Sequence, residues 1–252
     1  MNWWQEFYDE KLAAMLLRTK DLDAEEGTLR FLKQALHIDA SSRVFDQCCG
    51  EGRLSLPLSK AGNSVVGVDQ CQAYIDKANH LSQAGDRQAT YFCGDAFSFL
   101  PDRPVDAAFN WWTSFGYVSS DEENIKMITC AFASLKEGGY YALDFLNAPN
   151  ILANFRPSIF SESKYENGTL KLERKSAFDF SLGTFTTSWD YTLPSGEHVV
   201  HHSRIRMYMP IDLVNMFTST GFVDIELFGD VDMGPITLQS PRCIIVARKP
   251  LC

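Results

Sequence analysis

The sequence predicts an α/β fold: a doubly wound, mainly parallel sheet with an N-terminal helical segment and an antiparallel β insertion. Three observations carry this. From Arg43 to Phe145, short β-rich runs alternate with helical runs. That order sets parallel strands side by side through right-handed crossovers, with helices on both faces. From about residue 150 to Met209 the apolar pattern changes to period two, as in antiparallel strands with one buried face. A helix, a strand, a loop and a last strand then close the chain, so the period-two block interrupts the α/β pattern and does not replace it.

In order, WWQEFYDEKLAAMLLR and AEEGTLRFLKQALHI read as two helices, with apolar residues at three- and four-residue steps and the acidic turn KDLD between them. RVFD, SVVGVD, ATYFCGD, VDAAFN and GGYYALDF read as strands. RLSLPLSKA, QAYIDKANHLSQA and DEENIKMITCAFASLK read as the helices among them. TLKLERKSAFDF, TFTTSWDYTL and EHVVHHSRIRMYM form the antiparallel block, with turns at SLG and PSGE; PIDLVNMFTSTG, FVDIELFGD and RCIIVARK complete the core. The expected organisation is a helical lid at 1–40, a ligand-binding core at 41–148, an insertion capping the substrate at 149–209, and the C-terminal part of the core sheet at 210–252. The insertion is too short to build a core of its own.

Composition narrows the function. The chain has 252 residues, 45% hydrophobic and 22% charged, as expected of a soluble globular protein. The net charge of −9, with no run of basic residues, argues against a nucleic-acid partner. No apolar stretch reaches bilayer length and no secretion signal is seen, so membrane association is not expected and the location expected is cytoplasmic. The seven cysteines contain no C-x-x-C pair, which points to reduced thiols and no metal site.

The chemistry gathers at DQCCGEG, residues 46–52. A strand ends at Asp46, a turn follows with small residues at Cys48, Gly50 and Gly52, and a helix begins. Backbone N–H groups at such a turn favour negative charge and close approach. The dinucleotide fingerprint fails, because its third glycine is replaced by Ser55. An acid at the strand tip beside a carboxylate-accepting turn suits the amino-acid end of S-adenosylmethionine better than a pyrophosphate. Two more acids end the next strands: Asp69, placed to take both ribose hydroxyls, and Asp95, placed to accept from an adenine amino group. With them go their neighbours Gln70 and Ala96.

VFDQCCGEGRLS and DAAFNWWTSFGY resemble the first and fourth-strand motifs of class I S-adenosylmethionine-dependent methyltransferases acting on small molecules, D-L-C-C-G-P-G-R-H-S and N-x-F-T-S-F-G-Y. WWQEFYDE resembles the subgroup's opening, and SRIRMYMPIDLVNMFTSTGF and the closing GDVDMGPITLQSPRCIIVARK its later stretches. Glu51, Trp112, Met209 and Asp212 depart from the commoner residues. The resemblance implies a Rossmann-like sheet with an antiparallel last strand, an N-terminal lid, methyl transfer to nitrogen or oxygen in specialised metabolism, and S-adenosylhomocysteine as the product. It sets the loop Asn110–Tyr117 beside the methyl group, with Asn110 also against the cofactor.

In-line methyl transfer is largely alignment, and needs a base only when the nucleophile arrives protonated. Tyr117, His202 and Asn110 are the candidate catalytic groups. Trp4, Tyr8, Trp111, Trp112, Tyr117, His202 and Arg206 are the candidate substrate-pocket residues; the aromatic ones suit a cationic or planar substrate. In EHVVHHSRIRMYM one face carries His198, His202, Arg204 and Arg206, and the other, with His201 and Ser203, suits packing. The competing readings are a cofactor-binding partner without turnover, and a nicotinamide-dependent oxidoreductase, which the missing glycine and the acids Asp46 and Asp95 oppose.

Overall fold

The computed structural model describes residues 3–8, 12, 22–83, 89–165 and 168–251. Most of the N-terminal stretch expected to continue the first helix to Arg18 therefore lies outside the described residues. The first helix, α1 (Trp3–Phe7), is followed by α2 (Leu22–Ala35), which begins two residues before the expected AEEG start. The core then runs β1 (Arg43–Gln47), α3 (Ser55–Lys60), β2 (Ser64–Asp69), α4 (Gln72–Gln83), β3 (Ala89–Cys93), β4 (Val105–Asn110), α5 (Asp121–Ser134) and β5 (Leu135–Leu146). A short α6 (Ala148–Ala153) leads to β6 (Ser158–Tyr165), β7 (Gly168–Asp179), β8 (Thr184–Thr192) and β9 (His198–Arg206); α7 (Pro210–Thr220), β10 (Val223–Phe228) and β11 (Arg242–Arg248) finish the chain.

Seven strands form the central sheet in the order β10-β11-β5-β4-β1-β2-β3. β3, β2, β1, β4 and β5 are mutually parallel, while β11 pairs antiparallel with both β5 and β10. The last strand is thus antiparallel, and the tips of β1, β2, β3 and β4 lie along one edge. β1, β2, β4, β11 and the second half of β5 are buried on both faces, so their sequences are near-continuous apolar runs. One face packs under α5 and α7, where Met127, Ile128, Leu213 and Phe217 meet Phe45, Tyr141 and Phe145. The other packs under α2, whose Phe31 and Leu32 meet Val44, Phe109 and Ile244. The second helix of the expected lid is therefore a layer of the core. α5 starts at Ser120, whose hydroxyl accepts the Glu123 N–H at 3.2 Å, a cap worth about 1 kcal/mol.

The insertion is a four-stranded antiparallel sheet, β6-β7-β8-β9. β6 and α6 were not expected from the sequence. β6 is largely exposed on both faces, so it lacks the alternation that marks its neighbours. The inner face of this sheet, with Leu170 and Tyr191, is covered by Phe7 and Leu12, so the insertion borrows its core from the N-terminal segment. Its far end is bonded to the main domain. The Arg206 N–H donates to the Gly116 carbonyl at 2.6 Å, and a Cβ on Gly116 would lie 2.7 Å from the Arg206 carbonyl. Only glycine fits there.

Candidate functional site

The turn after β1 explains its small residues. Cys48, Gly50 and Gly52 all take left-handed backbone conformations, at φ of 67°, 54° and 78°. Gly52 is further required because a Cβ would come within 2.9 Å of the Tyr91 hydroxyl oxygen. α3 begins only at Ser55, three residues after the expected start near Gly52. Asp69, at the tip of β2, holds the turn: one carboxylate oxygen accepts the Gly50 N–H and the other the Cys71 N–H, both at 2.9 Å. One N–H assigned from the sequence to the ligand is thus already bonded by Asp69. Asp46 is buried, with Ser55 bonded to its side chain. Asp95 is exposed two residues beyond β3, and its carboxylate accepts the Phe97 N–H at 3.0 Å.

A cavity of about 450 Å³ opens along these strand tips. Asp46, Cys48, Gly50, Asp69, Gln70, Asp95 and Ala96 line one part of it; Trp111, Trp112, Ser114 and Tyr117 from the loop after β4 line another. Helix α1 roofs both through Trp4, with Tyr8 just past its end. The Trp3 indole N–H donates to the Tyr117 carbonyl at 3.2 Å, the Gln70 amide donates to the Trp4 carbonyl at 3.1 Å, and the hydroxyls of Tyr8 and Tyr117 are hydrogen-bonded. Burial raises the pKa of both tyrosines well above the ordinary value, so both are neutral.

The loop wall is strained and braced. Trp112 and Thr113 are consecutive non-glycine residues at φ of 58° and 64°, each costing about 1–2 kcal/mol. The Trp112 N–H donates to the Asp144 carboxylate at 2.9 Å, and Arg242 clasps that carboxylate through two bonds of 2.6 Å. Arg53 stacks over the Trp112 ring at 5.0 Å and pairs with Glu25 of α2.

These features coincide with similarity to known proteins. Residues 44–139 match the family model described as methyltransferase domain. Among curated relatives, the S-adenosyl-L-methionine-dependent Diels-Alderase iccD of Talaromyces variabilis is 30% identical over 113 residues, 43% of this chain and 37% of that protein. Shorter matches, 66 to 79 residues, are to RNA uracil-5-methyltransferases. The matched segments span well under half the length of these relatives. Among solved structures, the CcbJ methyltransferase from Streptomyces caelestis has a TM-score of 0.78 at 20% identity, covering 94% of this chain and 96% of that one. S-adenosylmethionine-bound CalS10, an amino pentose methyltransferase from Micromonospora echinaspora, has a TM-score of 0.74 at 17% identity, covering 96% and 98%.

S-adenosylmethionine is named with iccD and with CalS10, and the residues present here fit it. Among the described residues neither Asp46 nor Asp69 has a cationic partner. Burial pushes Asp46 up to about 7, with the Asp69 charge adding to the rise, and burial raises Asp69 also. Buried carboxylates that bear this cost suit a ligand bringing positive charge. The Cys48 thiol is raised well above its ordinary value by burial first and then by the Asp69 and Asp46 charges. It is therefore a neutral filler of the turn and not a nucleophile.

Four expected residues, Asn110, His202, Arg206 and Gly52, do not line the cavity. Asn110 is fully buried behind the wall; its amide donates weakly to the Cys48 sulfur at 3.7 Å, and its side-chain oxygen has no hydrogen-bond partner. It supports Cys48 and does not touch an acceptor. His202 is exposed on the outer face of β9, because residue alternation turns His201 and Ser203 inward. Arg206 pairs with Asp121 at 3.1 Å and donates to the Gly183 carbonyl, so it ties the insertion to α5. Gly52 shapes the turn without lining the cavity. Sequence reasoning missed Glu25 and Arg53 on the wall and Asp144 and Arg242 behind it. The signal for Asp144 was a lone acid in the apolar strand YYALDF, which must find a partner.

Proposed function

We propose that this chain transfers a methyl group from S-adenosylmethionine to a nitrogen or oxygen of a small molecule. The observation that carries the reading is one roofed cavity whose acids stand at the strand tips and whose other wall is aromatic. When bound, the cofactor supplies an electrophilic methyl group on a sulfonium. Asp46 would hold the cofactor's ammonium and Asp69 its ribose hydroxyls, while Asp95 stands near the adenine. Gly50 lets the backbone approach closely, since a Cβ there would meet nothing within 4 Å.

Tyr8, Tyr117, Trp4, Trp111 and Trp112 would orient the acceptor and exclude water, an alignment role that suits in-line displacement. The Tyr8–Tyr117 hydroxyl pair is a polar contact on this wall that would orient the acceptor by hydrogen bonding; both hydroxyls are neutral, so neither would serve as the base. The roofed cavity and the net charge of −9 favour a small acceptor over a nucleic acid, and the amino pentose named for CalS10 is a molecule of that class.

The test is incubation of purified protein with methyl-labelled S-adenosylmethionine and an extract of the producing cell, fractionated into small molecules, protein and nucleic acid. The expected result is label in a small molecule. Label in RNA would replace the substrate class. A substrate consumed while the label stays on the cofactor would replace methyl transfer with a reaction of the kind named for iccD.

A further inference from the structure

The loop that forms the aromatic wall does not hold its own shape. Trp112 and Thr113 lie in succession in the left-handed region, where neither side chain is at ease. Their backbone N–H groups both turn to one residue of β5: Trp112 to the Asp144 carboxylate at 2.9 Å, and Thr113 to the Asp144 carbonyl at 3.3 Å. That carboxylate is 1% exposed. Arg242, at the start of β11, meets it with Nε and Nη2, both at 2.6 Å, and the same Nη2 reaches the Thr113 hydroxyl at 2.7 Å. Neither Asp144 nor Arg242 lines the cavity.

We propose that Asp144 and Arg242 are positioning residues for the acceptor wall: the bidentate pair locks the Trp112–Thr113 turn so that Trp111, Trp112 and Ser114 face the cavity. The planar guanidinium satisfies both carboxylate oxygens and a third acceptor at once, a task an ammonium cannot repeat. One carboxylate oxygen is then shared between Arg242 and the Trp112 N–H, so the pair and the turn geometry stand or fall together. The effect passes outward to Arg53, which rests on the Trp112 ring and is a cation of the wall. The cofactor acids lie on other strand tips and are anchored separately: Asp69 by the Gly50 and Cys71 N–H groups, Asp46 by Ser55 and Asp95 by the Phe97 N–H. The pair should therefore govern the acceptor side and leave the cofactor side alone. The significance of that division rests on the methyl-transfer reading.

The experiment uses full-length protein labelled with 5-fluorotryptophan, its five indole resonances assigned by single Trp→Phe variants. Arg242→Lys keeps the charge and loses the fork; Thr113→Val removes only the hydroxyl contact and is the gentler change should the first fail to fold. The expected result is that the Trp112 and Trp111 resonances shift or broaden in both variants. Trp189, in the insertion, should stay in place, and the S-adenosylmethionine Kd should remain within twofold of the parent. Unmoved Trp111 and Trp112 resonances in a folded variant would overturn the proposal. So would movement of all five resonances together with a cofactor Kd weakened more than tenfold, which is the mark of a general structural pair. Failure of the parent protein to bind S-adenosylmethionine would overturn the methyl-transfer reading itself, a result separate from either resonance pattern.

Discussion

The two walls of the cavity are built in opposite ways. The proposed cofactor wall, at the tips of β1, β2 and β3, is assembled from short stretches: an acid, a turn and the next strand's acid, with Asp69 bonded to Gly50 19 residues away. The wall after β4 is assembled across the chain. Its turn depends on Arg242, 129 residues from Thr113, its Tyr117 on Tyr8, 109 residues away, and its Gly116 on Arg206 of the insertion. A shared cofactor demands the same local chemistry wherever it binds, so the first wall is written in a motif. An acceptor site is particular to one enzyme, and the one proposed here would be composed from wherever the fold brings side chains together.

Three measurements sharpen or break that contrast. The largest effect is expected from Asp69→Ala, which removes the acceptor for both the Gly50 and Cys71 N–H groups and the proposed ribose contacts. Calorimetry should show S-adenosylmethionine affinity lower by at least about tenfold, since each hydrogen bond to a charged group contributes roughly 1.5–3 kcal/mol; unchanged affinity in a folded variant would end the ribose assignment.

A smaller effect follows from Asp46, whose pKa in the free protein is about 7. Its folded value lies above the unfolded one, so its burial is tolerated best when protonated, and the free protein loses stability through this group as pH rises toward and through 7. Binding an ammonium needs the ionised form, so a proton must leave Asp46 on binding at acid pH. Cofactor affinity should therefore rise roughly tenfold between pH 6 and pH 8, with proton release visible as a buffer-dependent heat. A flat profile would remove Asp46 from the ammonium site.

The smallest effect is expected at the residue the structure takes away from the cavity. His202→Ala should leave the cofactor Kd and the rate of label transfer unchanged within about twofold, because a surface substitution with no buried contact changes free energies by about 0.5 kcal/mol or less. A large loss of transfer would return β9 to the acceptor site.

What was legible in the sequence follows the same division. The strand–helix alternation fixes the parallel core because period and length separate the elements, and Asp46 and Asp69 stand out because each lies at the end of a buried strand, with Asp95 two residues beyond the exposed edge strand β3. The helix expected to lie in the lid at 24–38 proved a core layer: its Phe31 and Leu32 stripe shows that it packs, but not onto what. β6 escaped because a strand exposed on both faces carries no alternation. In β9 the alternation correctly separated His201 and Ser203 from His202, yet periodicity cannot say which face meets a cavity. Arg206 was misplaced for the same reason. Asp144 and Arg242 sit 98 residues apart, a separation at which one sequence holds no record of contact.

Phe7 belongs at once to the roof helix and to the small apolar cluster that covers the insertion's inner face, with its ring against Trp189 and His201. Passage into the cavity beneath α1 cannot then be a free hinge motion, since lifting the roof also strips Leu170 and Tyr191 of their cover. The doorway is a piece of another room's wall. Ligand exchange is consequently tied to the partial opening of a packed cluster, and the lifetime of anything held beneath α1 is set in part by residues of the insertion that never touch it.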